Sequence, residues 1–490
     1  MRALLRAHAP SGPALWLVLG RGLGFIATFA VPVVLVRVFD QTTFGTYKQL
    51  FLVYGTLYGL AQLGVAESLY YFVPRRPSEA GRYAANAMAT LAGTGVICAA
   101  VLTLTAPAIG GWLMNPALAG TLPLLGAFLA LMLTSALFEI VLVARVRYRA
   151  AAWIYGMSDL TRAGFLLAAG VAFGGVRGLL WGAVVFAAVR VAVMLWLLAR
   201  GLEFTLRPSL TLWREQWAYT VPFALAVGLD VVQANLHNYV VAARFDPAIF
   251  ALYAVGCLQI PLVDVLTTSS ANVMMVAMAR DGFDRRAADA LALWHDTTRR
   301  LALIVFPLVV FLVVMAPEVI IVLFTRQYLD SVPVFRLWTC MLVLAVPCVD
   351  AVLRACAQPR YLLGLNLLRL LLVGVSIGWC LNVFGLPGAV LSMLVATAAT
   401  RAAGITRIAR LTATPASAVL PWKSLAATAG FALAAAVPAL GLARGVSLPP
   451  LVTLASAAIV YALGYGALCL RLLSGVSAGS PVPVLQSAVR

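Results

Sequence analysis

The sequence predicts an all-α polytopic membrane protein of about 14 transmembrane helices, built as two parallel six-helix repeats plus two C-terminal helices. Three observations lead there. The chain of 490 residues is 63% hydrophobic and 11% charged, too few charges to cover the surface of a water-soluble fold of that length. Apolar runs near twenty residues recur throughout, each long enough to cross a hydrocarbon core of ~30 Å. A short motif, Phe-Asp-x3-Phe-x2-Tyr, occurs twice, from Phe39 to Tyr47 and from Phe245 to Tyr253.

The first six spans are expected at about 15–36, 47–66, 86–109, 122–143, 153–173 and 179–199. The next six are expected at about 217–240, 251–275, 301–324, 334–356, 362–381 and 389–408, and two more at about 424–442 and 451–470. With the N-terminus inside, cytoplasmic segments hold 23 Lys/Arg and outer ones 7, with five inside spans. That bias places both termini in the cytoplasm. It also explains the net charge of +18 without a nucleic-acid partner, because the basic residues are spread through short connectors. The basic N-terminal stretch leads into an apolar run too long for a signal peptide, so helix one is expected to be retained.

No connector is long enough to fold by itself. The longest, 280–300, puts Phe283, Ala287, Leu291 and Trp294 on one helical face. It reads either as an amphipathic helix at the inner interface or as a stiff strap between two halves. The seven cysteines lie in or beside spans and form no CxxC pair. They read as small buried apolar residues, with no disulfide framework and no metal site. Pro32, Pro222, Pro261, Pro307 and Pro347 interrupt spans, as static kinks or as bending points.

The duplication rests on charges within spans, which are rare. Asp159-x-x-Arg162 in span five aligns with Asn366-x-x-Arg369 in span eleven. Arg190 aligns with Arg401, and Glu139-x-Val-Leu with Asp350-x-Val-Leu, at nearly the same offset. Gly175-x-x-Gly178 matches Gly385-x-x-Gly388. Six spans per copy is an even number, so the copies are parallel. The units are then 1–200 and 201–410, with 411–490 carrying the two additional helices and a tail.

The block Leu19-Gly-Arg21-Gly-Leu-Gly, the turn Arg37 to Tyr47 and the segment Gln62-Leu-Gly-Val-Ala-Glu67 resemble the opening of Wzx-type polysaccharide flippases. Those belong to the multidrug/oligosaccharidyl-lipid/polysaccharide (MOP) exporter superfamily. Phe324-Thr-Arg-Gln-Tyr328 is similar to a later part of the pattern. The resemblance implies two six-helix lobes in a V, facing a central cavity bordered by helices one, two, seven and eight. It implies a substrate, an undecaprenyl-pyrophosphate-linked oligosaccharide, moved across the bacterial inner membrane for O-antigen, capsule or exopolysaccharide synthesis. Polysaccharide polymerase machinery is the partner such a protein would serve, and membrane lipids surround it.

Such a cargo needs a wet passage with cations for pyrophosphate and hydrogen-bonding groups for sugar hydroxyls. No bond breaks, so no catalytic group and no cofactor is expected. Arginine suits phosphate because its planar fork donates two hydrogen bonds and keeps its charge. Arg21, Arg162, Arg190, Arg369 and Arg401 are the arginines within spans, where an unpaired charge is costly. Arg21 snorkels to the inner headgroups, pairs across helices, or binds phosphate in the cavity. Arg162 is expected to pair with Asp159, whereas Arg369 has Asn366 at that spacing and stands as the better ligand. Arg190 and Arg401 are phosphate ligands or partners of Glu139 and Asp350, and Asp350 has Arg354 four residues on. Tyr54, Tyr58 and Gln62 share one face of span two and suit sugars. In span seven Asp230, Gln233 and His237 share a stripe from which Asn235 points away. They could carry protons or hold sodium, or form a helix–helix seam, and Asp264 in span eight is a second coupling candidate.

Two rival functions remain. A multidrug antiporter of the same superfamily would normally have twelve spans and few intramembrane arginines. A membrane glycan polymerase or ligase would need a long outer loop rich in carboxylates or His, and every outer connector here is short.

Overall fold

The computed structural model describes residues 12–201, 207–281, 287–415, 417–445 and 448–476. Among them all regular structure is helical. Among the described residues eleven helices are long and apolar enough to span a membrane, or twelve if the pair Leu210–Pro222 and Ala224–Ala242, bent by 43°, is one span. The expected first and fifth spans are α1 (Gly12–Val38) and a helix over Tyr148–Ala172, of 27 and 25 residues. They have the length but fall outside that set, and the latter carries Arg149, Asp159 and Arg162. The chain divides into two compact units, Met1–Ala254 and Val255–Arg490.

In the first unit α1 is followed by α2 (Gln41–Ala61), α3 (Val65–Arg75), α4 (Ala80–Leu104) and the short α5 (Ala106–Trp112). Then come α6 (Leu122–Thr134), α7 (Phe138–Ala144), α8 (Tyr148–Ala172), α9 (Gly175–Gly201) and α10 (Leu210–Ala242). α1 packs along α8, α8 along α9, α4 along α6, and α10 against α2. Span two is longer than expected. It does not stop near residue 66 but breaks at Gln62–Gly64, where Leu63 and Gly64 are left-handed, and resumes to Arg75. Span four likewise breaks at Ser135–Leu137.

The repeated motif has a local cause in both copies. Asp40 caps α2, its side chain accepting from Thr42 N at 3.3 Å. Asp246 accepts from Ile249 N at 2.9 Å at the start of α11 (Pro247–Gly256). A cap satisfies donors that a helix N-terminus leaves open. The aromatic residues that follow, Phe44 and Tyr47, Phe250 and Tyr253, are buried. The two turns also touch: a Cβ on Gly45 would lie 1.7 Å from the Pro247 carbonyl oxygen. Only glycine permits that approach.

The second unit continues with α12 (Pro261–Asp281), α13 (Ala287–Val314), α14 (Ala316–Phe324), α15 (Val332–Cys340) and α16 (Val349–Ala355). It ends with α17 (Pro359–Phe384), α18 (Leu386–Leu411), α19 (Trp422–Gly445) and α20 (Pro450–Val476). Span eight, expected as one helix over 251–275, is instead interrupted between Gly256 and Pro261. The connector over 280–300, read as an interfacial helix or a strap, is in its described part continuous with span nine. Phe283 lies outside the described residues, and Ala287 to Val314 form one helix with Pro307 inside it. Trp294 is buried in a core with Met274, Met278, Val349, Leu353 and Ile408, and Leu291 packs against it, so these two residues of the expected face meet protein rather than headgroups. Its indole N–H donates to the Pro347 carbonyl, at the break that separates α15 from α16.

The two additional helices complete a damaged one. Pro307 has no N–H, which leaves the Leu303 carbonyl without its helical donor. Tyr465 on α20 donates its hydroxyl to that carbonyl at 3.1 Å, and Tyr461 donates to Pro307 O at 2.9 Å. In hydrocarbon such a carbonyl must find a partner from a neighbouring helix.

Candidate functional site

Four of the eight substrate-binding candidates converge on one cavity in the first unit. Tyr58 and Gln62 from α2 and its break, Arg162 from α8 and Arg190 from α9 line a space of about 250 Å³. Glu139, Tyr155, Ser158 and Asp159 line it as well. Tyr54 stands behind Tyr58, stacked on it at 5.5 Å and on Phe128 at 4.8 Å. Both helix breaks border the cavity, one through Gln62 and the other just before Glu139. Broken spans tolerate irregular backbone where protein or a cavity surrounds it.

Each arginine there holds a carboxylate. Arg190 Nη2 is 2.8 Å from Glu139 Oε2, its Nε donates to Ser135 Oγ at 3.0 Å, and its Nη1 donates to Ser158 Oγ. Arg190 Nη2 also reaches the Ser135 carbonyl, at 3.4 Å, inside the helix break. The guanidinium thus pins α9 to the broken span. Arg162 pairs with Asp159 at 2.9 Å, as its i,i+3 spacing predicts, and donates to Thr28 Oγ1 of α1 at 3.0 Å. Gly24 makes room on α1: a Cβ there would sit 2.4 Å from Asp159 Oδ2. The two pairs cancel formally, so the cavity presents directed donors and acceptors rather than a net positive field.

In the second unit Arg401 on α18 pairs with Asp350 on α16. Asp350 therefore binds a neighbouring helix and not Arg354, which the i,i+4 spacing had offered as its partner. Side chains on different helices at one depth compete on equal terms with sequence neighbours. Arg369 lies on α17, in the same unit. Arg21 lies on α1, but its side chain falls outside the described residues.

The span-seven stripe divides. His237 is buried, its Nδ1 2.7 Å from the Tyr253 hydroxyl and its Nε2 3.4 Å from Asn238 Nδ2. Gln233 is buried as well, whereas Asp230 is exposed. Asn235 turns away as expected, bonding its own helix at the Val231 carbonyl. Asp264 sits exposed in the first turn of α12.

Sequence reasoning missed Tyr155, Ser158 and Thr28. The first two were readable, since Tyr155, Ser158 and Arg162 share the helical face of Asp159. Thr28 was not, because its place depends on how α1 lies on α8.

A model of the family described as "Polysaccharide biosynthesis protein" matches residues 34–333. Among curated proteins no sequence matches the chain. The fold is similar to the lipid II flippase MurJ in an inward closed conformation, with a TM-score of 0.70 and 11% identity. That likeness covers 93% of this chain and 99% of the other. An inward-facing multidrug resistance MATE family transporter of the MOP superfamily gives 0.59 at 16% identity, covering 84% and 98%. A MOP superfamily transporter from Pyrococcus furiosus gives 0.53 at 14%, covering 81% and 94%.

Proposed function

Because this chain belongs to the polysaccharide biosynthesis protein family, we propose that it is a flippase for a lipid-linked oligosaccharide. The cargo is a glycan on a polyprenyl pyrophosphate, moved between leaflets of a bacterial inner membrane by alternating access. The observation that carries this reading is the convergence of Tyr58, Gln62, Arg162 and Arg190 on one cavity within a membrane-spanning unit. A drug-sized apolar cation would gain little from such a lining. Sugar hydroxyls match it, since Gln offers two donors and an acceptor and Tyr both donates and accepts.

Within that reading the arginines differ in role. Arg162 donates through Nη2 to both its partners, which leaves the rest of its fork to face the cavity and meet a phosphate. Arg190, with all three nitrogens engaged, positions the cavity wall. Arg21, in the first unit, and Arg369 and Arg401, in the second, are further candidate phosphate ligands within their own units. His237 with Gln233, and the exposed Asp230 and Asp264, are the candidates for coupling to a proton or sodium gradient. The orientation proposed from the basic connectors puts both termini in the cytoplasm, and the matched charge pairs favour a gene duplication over 1–200 and 201–410.

The test is leaflet exchange of a labelled polyprenyl-pyrophosphate sugar in proteoliposomes. Exchange above that of empty vesicles under an imposed ion gradient is the expected result. Export of cationic dyes with no lipid-linked exchange would replace this reading with the antiporter, which the MATE-like fold also accommodates. Glycan polymerised or transferred in the same vesicles would replace it with an enzyme.

A further inference from the structure

A second cavity in the first unit, of about 830 Å³, lies where α3, α4, α7 and α10 have their termini. Three arginines from distant parts of the chain line it: Arg82 from the first turn of α4, Arg145 just after α7, and Arg207 just before α10. Glu79 is the one carboxylate in the lining, and it faces Arg76 at 3.6 Å. Arg76 is also held by Glu215 at 2.9 Å, and Glu215 accepts from Tyr83 at 2.9 Å. Nearby acids are thus committed to Arg76, and among the described residues no carboxylate pairs with Arg82 or Arg207. Asn86 exchanges two hydrogen bonds with the backbone of Ser209, at 3.0 and 2.9 Å, which ties the start of α10 to α4 beside Arg207.

The rim carries backbone strain. Val146, between Arg145 and Arg147, is left-handed at φ 62° and 68% exposed. It occupies the position after α7 that glycine takes at least cost, with Arg147 N bonded to Leu142 O at 2.9 Å behind it. A β-branched residue held there is an outlier, and such outliers gather at binding sites.

We infer that this cavity is a phosphate-binding site at the membrane surface, separate from the transport cavity, and that it takes the phosphate of an anionic lipid headgroup. Arg82 and Arg207 give forked donors to phosphate oxygens, and Arg145 beside them adds positive charge. The positive end of the 25-residue helix α4 adds to their field. Basic pockets between helices at the headgroup level bind anionic lipids in this way. The phosphate could belong to a bulk phospholipid or to a polyprenyl diphosphate waiting to enter. The site does not depend on the proposed transport function.

The experiment uses the purified full chain in a neutral detergent, with binding read by native mass spectrometry and by shift in melting temperature. The probes are short-chain phosphatidylglycerol, a short-chain polyprenyl diphosphate, inorganic phosphate, and short-chain phosphatidylcholine as the zwitterionic reference. The anionic probes should bind more tightly than phosphatidylcholine. The double variant Arg82→Gln/Arg207→Gln should weaken them about tenfold or more, while Arg177→Gln leaves them unchanged. Arg82→Lys/Arg207→Lys, which keeps the charge and loses the fork, should fall between and also guards against a misfolded glutamine variant. Preference for phosphatidylglycerol assigns the site to bulk lipid, and preference for the diphosphate assigns it to the carrier. Equal binding by wild type and both double variants, or no preference over phosphatidylcholine, overturns the proposal.

Discussion

Arg190 and Glu139 meet at 2.8 Å across two helices, and Arg401 and Asp350, each 211 residues further on, form the same pair in the other unit. The first pair is the more enclosed, with side chains 11% and 5% exposed against 22% and 39%. Removing one partner of an enclosed pair leaves a desolvated charge, at a cost of about 3 kcal/mol or more. Arg190→Gln is therefore expected to lower thermal stability in detergent by that amount, and Arg401→Gln by about 1 kcal/mol. The double variant Arg190→Met/Glu139→Met should be more stable than either single one. Equal losses at the two arginines would show that enclosure does not set the cost.

Tyr58 and Gln62 line the cavity they share with Arg162 and Arg190 and take no part in its ion pairs. Gln62→Leu and Tyr58→Phe should reduce complementation of a flippase-deficient strain while the unfolding free energy stays within about 1 kcal/mol of wild type, since each removes a polar group from a cavity wall. A matched loss of stability would assign them to packing instead.

Asp40 links pH to stability outside the spans. Its carboxyl is held below the usual range, first by the Thr43 side-chain hydrogen bond, against burial, with backbone N–H groups of Thr43 and Thr42 adding to it. A depressed carboxyl stabilises the fold above its unfolded value near ~4, and the gain disappears as pH falls through the folded value. Asp40→Asn keeps the cap and removes the titration, so the wild-type advantage over it should shrink in acid. Asp40→Ala should cost about 1 kcal/mol at neutral pH.

Gly45 faces the Pro247 backbone, which cannot swing aside as a side chain would. Gly45→Ala is expected to cost about 3 kcal/mol, at the upper end of overpacking penalties. Gly55→Ala, where a Cβ meets nothing within 4 Å, is the control and should be neutral or slightly stabilising.

Val146→Gly removes a left-handed β-branched residue. Relief of about 1–2 kcal/mol is partly offset by the greater freedom of glycine in the unfolded chain, about 0.4–1 kcal/mol. A net rise in stability of up to about 1.6 kcal/mol is expected from thermal unfolding. A loss would mean that the valine side chain packs more than its exposure implies.

Legibility followed the range of the interactions. The positions of most spans and the Asp159–Arg162 pair depend on residues within a turn or two of each other, and could be read from spacing. The partner of Asp350 could not. Arg354 at i+4 and Arg401 across the helix interface were both chemically suitable, and only packing chose. The breaks in spans two and four escaped as well, since neither contains proline. Pro307 was visible as a defect, but its repair by Tyr465 joins residues 162 apart.

The sequence by itself determined the solvent of this protein, its helical class and which residues carry charge into the membrane, because hydropathy and helical period are local properties. Tertiary structure alone decided which of those charges neutralise one another and which side chains share a cavity. Every helix offers several faces of similar polarity. The crossing of α8, α9 and the broken span places Arg190 on Glu139 and leaves Arg162, Tyr58 and Gln62 facing the same space.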